Sequence, residues 1–110
     1  DSFRSGSADL QESFASTLST VGNVLGETGG MIRVEGHTDD VPIAFSERFK
    51  SNWDLSSARS ASVANYLLNN TPVEPGRVTI TGFADSQPIA DNTTPDGRAK
   101  NRRIEVIVDG

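Results

Sequence analysis

Gly29-Gly30-Met31-Ile32-Arg33-Val34-Glu35-Gly36-His37-Thr38-Asp39 is the stretch on which the fold turns. Met31 to Gly36 is short, β-branched at Ile32 and Val34, and bounded by glycines, so it reads as a strand. Upstream, Leu10, Phe14, Leu18, Val21 and Leu25 recur at steps of four, four, three and four, which marks one face of an amphipathic helix. Ser7 is placed to cap that helix, and Gly26 or the Gly29-Gly30 pair to end it. Downstream, His37 to Ser51 has no period, carries Pro42 and mixed charge, and reads as a long loop of the kind that is usually functional or disordered.

Ser51 with Asp54 three residues later forms a capping pattern. The helix it opens is expected to bury Leu55, Ala58, Ser62 and Tyr66 on one stripe, with Val63 and Leu67 beside it, and to stop at Asn69-Asn70-Thr71-Pro72. Pro75-Gly76 then turns into a strand over Arg77 to Phe83, with Val78 and Ile80 on one face and Thr79 and Thr81 on the other. Ala84 to Asp96 is a polar loop, Gly97 to Asn101 a short helical turn, and Arg103 to Asp109 a last strand with Ile104, Val106 and Val108 on one face. The expected class is an α/β (α+β) sandwich with helices packed on one side of the sheet.

Composition sets the outer limits. The chain has 110 residues, fitting one domain over 1–110, with 35% hydrophobic and 23% charged residues. No apolar run is long enough to span a bilayer. No signal peptide is visible, so if the protein is exported or membrane-tethered, that signal lies upstream. Cysteine is absent, which removes disulfides and thiolate metal sites and leaves the compartment open. The net charge of -5 argues against nucleic acid. Arg98, Lys100, Arg102 and Arg103 nevertheless crowd one short segment, which reads either as a solvated helix end or as part of an anion site.

Catalytic patterns are missing. His37 is the single histidine, so histidine-based metal centres lack ligands, and neither metal nor cofactor is expected. No G-x-S-x-G elbow occurs, and Asp39 and Asp40, being adjacent, point apart in extended chain. Gly29-Gly30 precedes a strand instead of opening a helix, so it is no phosphate cradle. A binding site is better supported. Gly36-His37-Thr38-Asp39 ends a strand, where ligands lodge in α/β sheets. Ser56 and Arg59, three apart on the next helix, share a face directed at the loop that carries Asp39. Asp39 and Arg59 there form either a structural salt bridge or a pocket for a zwitterion, with Asp39 taking an ammonium and Arg59 forking onto a carboxylate. His37 is expected to hold the loop through its ring nitrogens, Trp53 and Phe49 to pack the loop on the helix, and Asn101 to bond backbone in the last loop.

Four motifs in order resemble the OmpA-like C-terminal domain: Val34-Glu35-Gly36-His37-Thr38-Asp39; Asn52-x-x-Leu55-Ser56-x-x-Arg59; Gly82-Phe83-Ala84-Asp85; and Gly97-Arg98-Ala99-x-Asn101-Arg102-Arg103-Ile104-Glu105. Phe3 and Gly6-Ser7-Ala8-x-Leu10 resemble that family's approach to its first helix, so the likeness covers nearly the whole chain. Asp40-Val41-Pro42-Ile43 and the longer stretch to Ser51-Asn52-Trp53 resemble the MotB/PomB stator subgroup.

The resemblance implies a βαβαβ domain with a mixed sheet and a first strand truncated here. It implies a non-catalytic, periplasmic peptidoglycan-binding domain, homodimeric, belonging to a single-pass inner-membrane protein that forms an ion channel with a MotA/PomA-type partner. The implied ligand is the diaminopimelate-containing stem peptide. Asp39 would take its ammonium, Arg59 a carboxylate, Asn52 amide hydrogen bonds and Arg102 a second cationic contact, with Thr38, Leu55 and Ser56 lining the site. The rival readings are a dimerisation or regulatory domain without an open wall site, and an enzyme acting on peptidoglycan.

Overall fold

The computed structural model describes residues 3, 7–43 and 49–109. Gly6, in the family-like approach to the first helix, and the 44–48 part of the long loop therefore lie outside the described residues. Element order is α1 (Glu12–Leu25), β1 (Met31–His37), α2 (Asn52–Asn70), β2 (Val78–Gly82), α3 (Pro95–Asn101) and β3 (Arg103–Asp109), with a 3-10 turn at Pro75–Arg77. The sheet runs β2-β1-β3, with β1 parallel to β2 and antiparallel to β3. It is the mixed α/β arrangement that the motifs imply. Ahead of α1, the pairing among the described residues is the isolated bridge between Phe3 and Leu10.

Alternation along β1 sorts the sheet into two faces. Ile32 and Val34, both 0% exposed, join Leu18, Leu25, Val63, Leu67 and Val73 in the main core between sheet and helices. Ile104 and Val106 of β3 pack on that core, while Val108 is exposed at the strand's end. Val78 packs there too, whereas Ile80, on the same face of the edge strand β2, is left 44% exposed. A second, smaller cluster of Ala8, Phe49 and Leu55 seals the loop end of the sandwich.

The two long helices, α1 and α2, depart from their expected stripes. α1 starts at Glu12, five residues after Ser7, and its N-cap Gln11 makes no side-chain cap bond. Ser7 is engaged elsewhere. Its Oγ accepts from Asp9 N at 2.9 Å, and its carbonyl accepts from Arg59 Nε at 2.8 Å. Ala8 O accepts from Ser62 Oγ at 2.6 Å, so this segment is a tether onto α2. Val21 is exposed, and its expected place in the core goes to Gly22. A side chain at Gly22 would collide with Thr71, so α1 meets the end of α2 at that glycine.

In α2 the buried line is Ser56, Ser60, Val63 and Leu67, with Leu55, Arg59 and Ala64. Ala58, Ser62 and Tyr66 are only half buried. The sheet-facing stripe is thus rotated towards serine, because small side chains are needed where α2 crosses β1 and β2. The Ser51 cap forms as expected, its Oγ accepting from Asp54 N at 3.3 Å. Asp54 in turn accepts from Lys50 N.

Candidate functional site

The site begins with two glycines. Gly36 and Gly82 are register partners on β1 and β2. A Cβ on Gly36 would run into the carbonyl oxygen of Ser56 and, at 2.6 Å, Ser60 Oγ, and one on Gly82 would meet Ser57. Their bare backbones let the first turns of α2 lie directly over the carboxyl ends of both strands. Ser60 Oγ donates to Thr81 O at 3.0 Å, fastening helix to sheet. Beyond the strands, Phe83 N donates to Gly36 O at 2.9 Å and Thr38 N to Ala84 O at 2.8 Å. Ala84, 1% exposed, holds a left-handed backbone with φ 52°, and its N–H donates to Ser56 Oγ at 3.1 Å. That conformation stores about 1 kcal/mol or more in a non-glycine residue.

This framework aims Asp39 at two arginines from distant parts of the chain. Asp39 Oδ2 accepts from Arg102 Nη1 at 2.7 Å, and Oδ1 accepts from Val41 N at 3.0 Å. Its ion-pair partner is therefore Arg102, where spacing had put Arg59 forward. Arg59 lies deeper, 8% exposed, with Nε on Ser7 O and its guanidinium 5.0 Å from the centre of the Phe3 ring. Burial, then the charge of Arg102, lower the Arg59 pKa, and Asp39 opposes them. The Asp39 carboxylate is thus paired with Arg102 and lies within electrostatic reach of Arg59, which places groups of both signs in one neighbourhood. Arg102, its side chain 37% exposed, is the accessible member.

The other expected site residues take supporting positions. Asn52 Nδ2 donates to Val41 O at 3.0 Å and Asp39 O at 3.5 Å, pinning the loop that bears the carboxylate. Thr38 is buried and its hydroxyl donates to Asp39 O at 2.8 Å. Ser56, fully buried, donates to Trp53 O at 3.2 Å while accepting from Ala84 N. Leu55 packs with Ala8 and Phe49. Asp39, Arg59, Arg102 and Asn52 are thus brought together, and Thr38, Leu55 and Ser56 form the wall behind them.

Four neighbouring expectations have mixed outcomes. Phe49 is buried, as loop packing requires, but Trp53 is 53% exposed and does not pack the loop down. His37 does not hold the loop through its ring nitrogens, neither of which has a hydrogen-bond partner among the described residues. It points to the sheet face away from α2 and stacks on Phe83, ring centres 5.1 Å apart at 8°. Asn101 does bond the last loop. Its Oδ1 accepts from Ile89 N and Ala90 N, and Nδ2 donates to Ala90 O and Asn92 Oδ1.

That loop positions Arg102 and ends at Thr94, short of the expected Asp96. α3 begins at Pro95, with Thr94 Oγ1 accepting from Gly97 N at 3.0 Å. Thr94-Pro95 is the missed signal, a cap residue followed by proline at the first helical position. Arg98 Nη1 binds Asn92 O and Arg103 pairs with Glu105, so these members of the basic run are anchored and not merely solvated.

The Asp39–Arg102 pair, with Arg59 nearby, sits where the parallel strands β1 and β2 end, in a domain of the small mixed α/β class. The chain belongs to the OmpA family, which it matches over residues 2–102. Within that family it resembles the MotB type. It is 40% identical to Motility protein B of Bacillus subtilis over 70% of this chain and 29% of that protein. The C-terminal domain of Helicobacter pylori MotB superposes with a TM-score of 0.89 at 24% identity, covering 98% of this chain and 82% of that one, which shows a shared fold. The cell wall anchor of the T6SS from Pseudomonas aeruginosa matches with a TM-score of 0.88 and 40% identity, over 96% of this chain and 73% of that one. The chain spans less than half the length of the curated relatives named for motility.

Proposed function

We propose that this chain is a non-catalytic, periplasmic domain that binds the diaminopimelate-containing stem peptide of peptidoglycan and so anchors a MotB/PomB-type flagellar stator to the cell wall. The observation that carries the reading is the Asp39 carboxylate paired with Arg102 while Arg59 lies buried alongside. A zwitterionic amino acid brings one charge of each sign to such a cluster. Its carboxylate completes the fork of an arginine, and its ammonium takes the place of Arg102 on Asp39 or shares that oxygen pair. Charge-assisted hydrogen bonds contribute about 1.5–3 kcal/mol each. After the cost of association, a single site is weak to moderate, and two sites in a homodimer act by avidity.

Likeness to Motility protein B and to a T6SS cell wall anchor supports wall attachment. The motor assignment rests on the stator-like loop from Asp40 to Trp53. It carries with it a transmembrane helix upstream and a MotA/PomA-type channel partner in the inner membrane. No described helix here is long and apolar enough to cross a membrane. Co-sedimentation with purified sacculi tests the reading. The wild-type domain is expected in the pellet, and Asp39→Asn and Arg59→Ala in the supernatant with circular dichroism unchanged. Equal pelleting of all three would end the site assignment.

One feature favours a second reading, a dimerisation or regulatory domain whose wall site is shut. The 2.7 Å pair of Arg102 and Asp39 occupies the carboxylate. Titration with free diaminopimelate separates the two: amide shifts at residues 38–41 support the open site, and their absence at saturating ligand supports the closed one.

A further inference from the structure

The sheet face turned away from α2 carries a second cluster that the wall-binding reading does not use. Glu35 and His37, two apart on β1, project from that same face. Glu105 is the register partner of Glu35 on antiparallel β3. Like charges directly opposite across a strand pair repel. One donor atom from each of the three residues lies within 4.8 Å of the others, and Glu35 and His37 are buried. The His37 side chain is 1% exposed, with Nε2 3.7 Å from Glu105 Oε2. Neither ring nitrogen has a hydrogen-bond partner among the described residues, an arrangement that is costly for a buried polar group.

We propose that Glu35, His37 and Glu105 form a site for a divalent transition metal of the zinc class, held by one imidazole nitrogen and one oxygen from each carboxylate. An imidazole donor selects zinc-class ions over calcium or magnesium, and water completes a four-coordinate shell. Metal–ligand bonds are about 2.0–2.2 Å, so the side chains must draw together slightly. Glu105, its side chain 39% exposed, is the one free to do so. Each carboxylate is already bonded through Oε2, Glu35 to Arg33 Nη1 at 2.6 Å and Glu105 to Arg103 Nε at 2.5 Å. These arginines orient the carboxylates from outside, and an ionised carboxylate has lone pairs enough to accept from an arginine and hold a metal at once. Their positive charge also weakens the site, although Asp109 on Arg33 Nε offsets part of it.

Counting histidines argued against a metal, because the sequence does not reveal that β3 sets Glu105 opposite Glu35. A bound ion would fasten β1 to β3 at the residue from which the chain runs into Thr38 and Asp39. The site is independent of peptidoglycan binding, and neither proposal stands or falls with the other.

The test is calorimetric titration of the chelator-stripped domain with zinc chloride, repeated with cobalt(II) to read its visible ligand-field bands. One saturable equivalent is expected for the wild type, with cobalt bands characteristic of nitrogen and oxygen ligands. His37→Gln and Glu105→Gln should each bind about ten-fold more weakly or worse, and Glu12→Gln, on α1, should bind as the wild type does. No saturable binding by the wild type, or wild-type affinity in Glu105→Gln, would overturn the proposal. Should His37→Gln fail to fold, Glu105→Gln decides alone, because its side chain is partly exposed at the sheet's edge strand.

Discussion

Arg102 and Asp39, 63 residues apart in sequence, meet at 2.7 Å through Nη1 and Oδ2. The contact joins the loop after β1 to the turn between α3 and β3. Exposure differs between the partners, 37% for the Arg102 side chain and 12% for that of Asp39. With its arginine end in solvent, the contact contributes about 1 kcal/mol. Arg102→Ala is therefore expected to leave the urea midpoint nearly unchanged while weakening sacculus binding. A large stability loss would make the pair structural instead.

Arg59 should behave differently, because its contacts are buried. Arg59→Ala removes the bond to Ser7 O and the guanidinium over Phe3, both of which hold the N-terminal segment to α2. The expected cost is about 2–3 kcal/mol in urea unfolding. Arg59→Lys keeps the charge but loses the planar fork. It should recover part of the stability and little of the wall binding. Recovery of both in equal measure would count against a forked contact with a ligand carboxylate.

Gly36→Ala tests whether the helix-to-strand approach builds the site. Its new Cβ would meet the Ser56 carbonyl and Ser60 Oγ, so α2 must move outward. Such overpacking costs about 1–3 kcal/mol. Gly29→Ala is the control, since nothing lies within 4 Å of a Cβ there. Thermal melts should separate the two variants clearly, with Gly29→Ala within about 0.5 kcal/mol of the wild type.

Much of this was legible in the sequence. Period and punctuation located α2, β1 and β3 because each is bounded by a local signal: the Ser51 cap, the flanking glycines, the alternation Ile104-Val106. Ordered motifs placed Asp39, Asn52, Arg59 and Arg102 in one neighbourhood. What stayed hidden depends on tertiary context. Ser7 has the chemistry of a cap but is drawn into bonds with α2. Val21 fits the apolar period yet yields to Gly22, where Thr71 comes too close for a side chain. The partner of Asp39 could not be read from spacing, because a three-residue offset on a helix says nothing about a residue on the far side of α3. Nor could the left-handed backbone of Ala84 be foreseen, since alanine gives no sign of it.

Asn101 offers a test of the last loop. Fully buried, it accepts two backbone N–H groups and donates to Ala90 O and Asn92 Oδ1. Asn101→Asp keeps the shape but cannot donate when ionised. A loss of about 2–3 kcal/mol is expected from the buried mismatch. Because this loop leads directly to Arg102, sacculus binding should fall as well. A destabilised variant that still pelleted fully would separate the loop from the site.

His37 gives the pH prediction. Burial first, then Arg103, lower its pKa, against a smaller pull from Glu105 and Glu35. The folded state therefore holds fewer protons than the unfolded chain once the pH falls below the ordinary histidine value of about 6.5. Stability supplied by this group is complete above that value and is lost as pH falls through the lower, folded one. In chelator-treated buffer, urea unfolding should show stability rising with pH from about 5.5 to 6.5 and flat just above. His37→Gln has no such proton to exchange, so its slope over the same window should be smaller. Parallel slopes in the two proteins would assign the dependence to the carboxylates and remove His37 from the account.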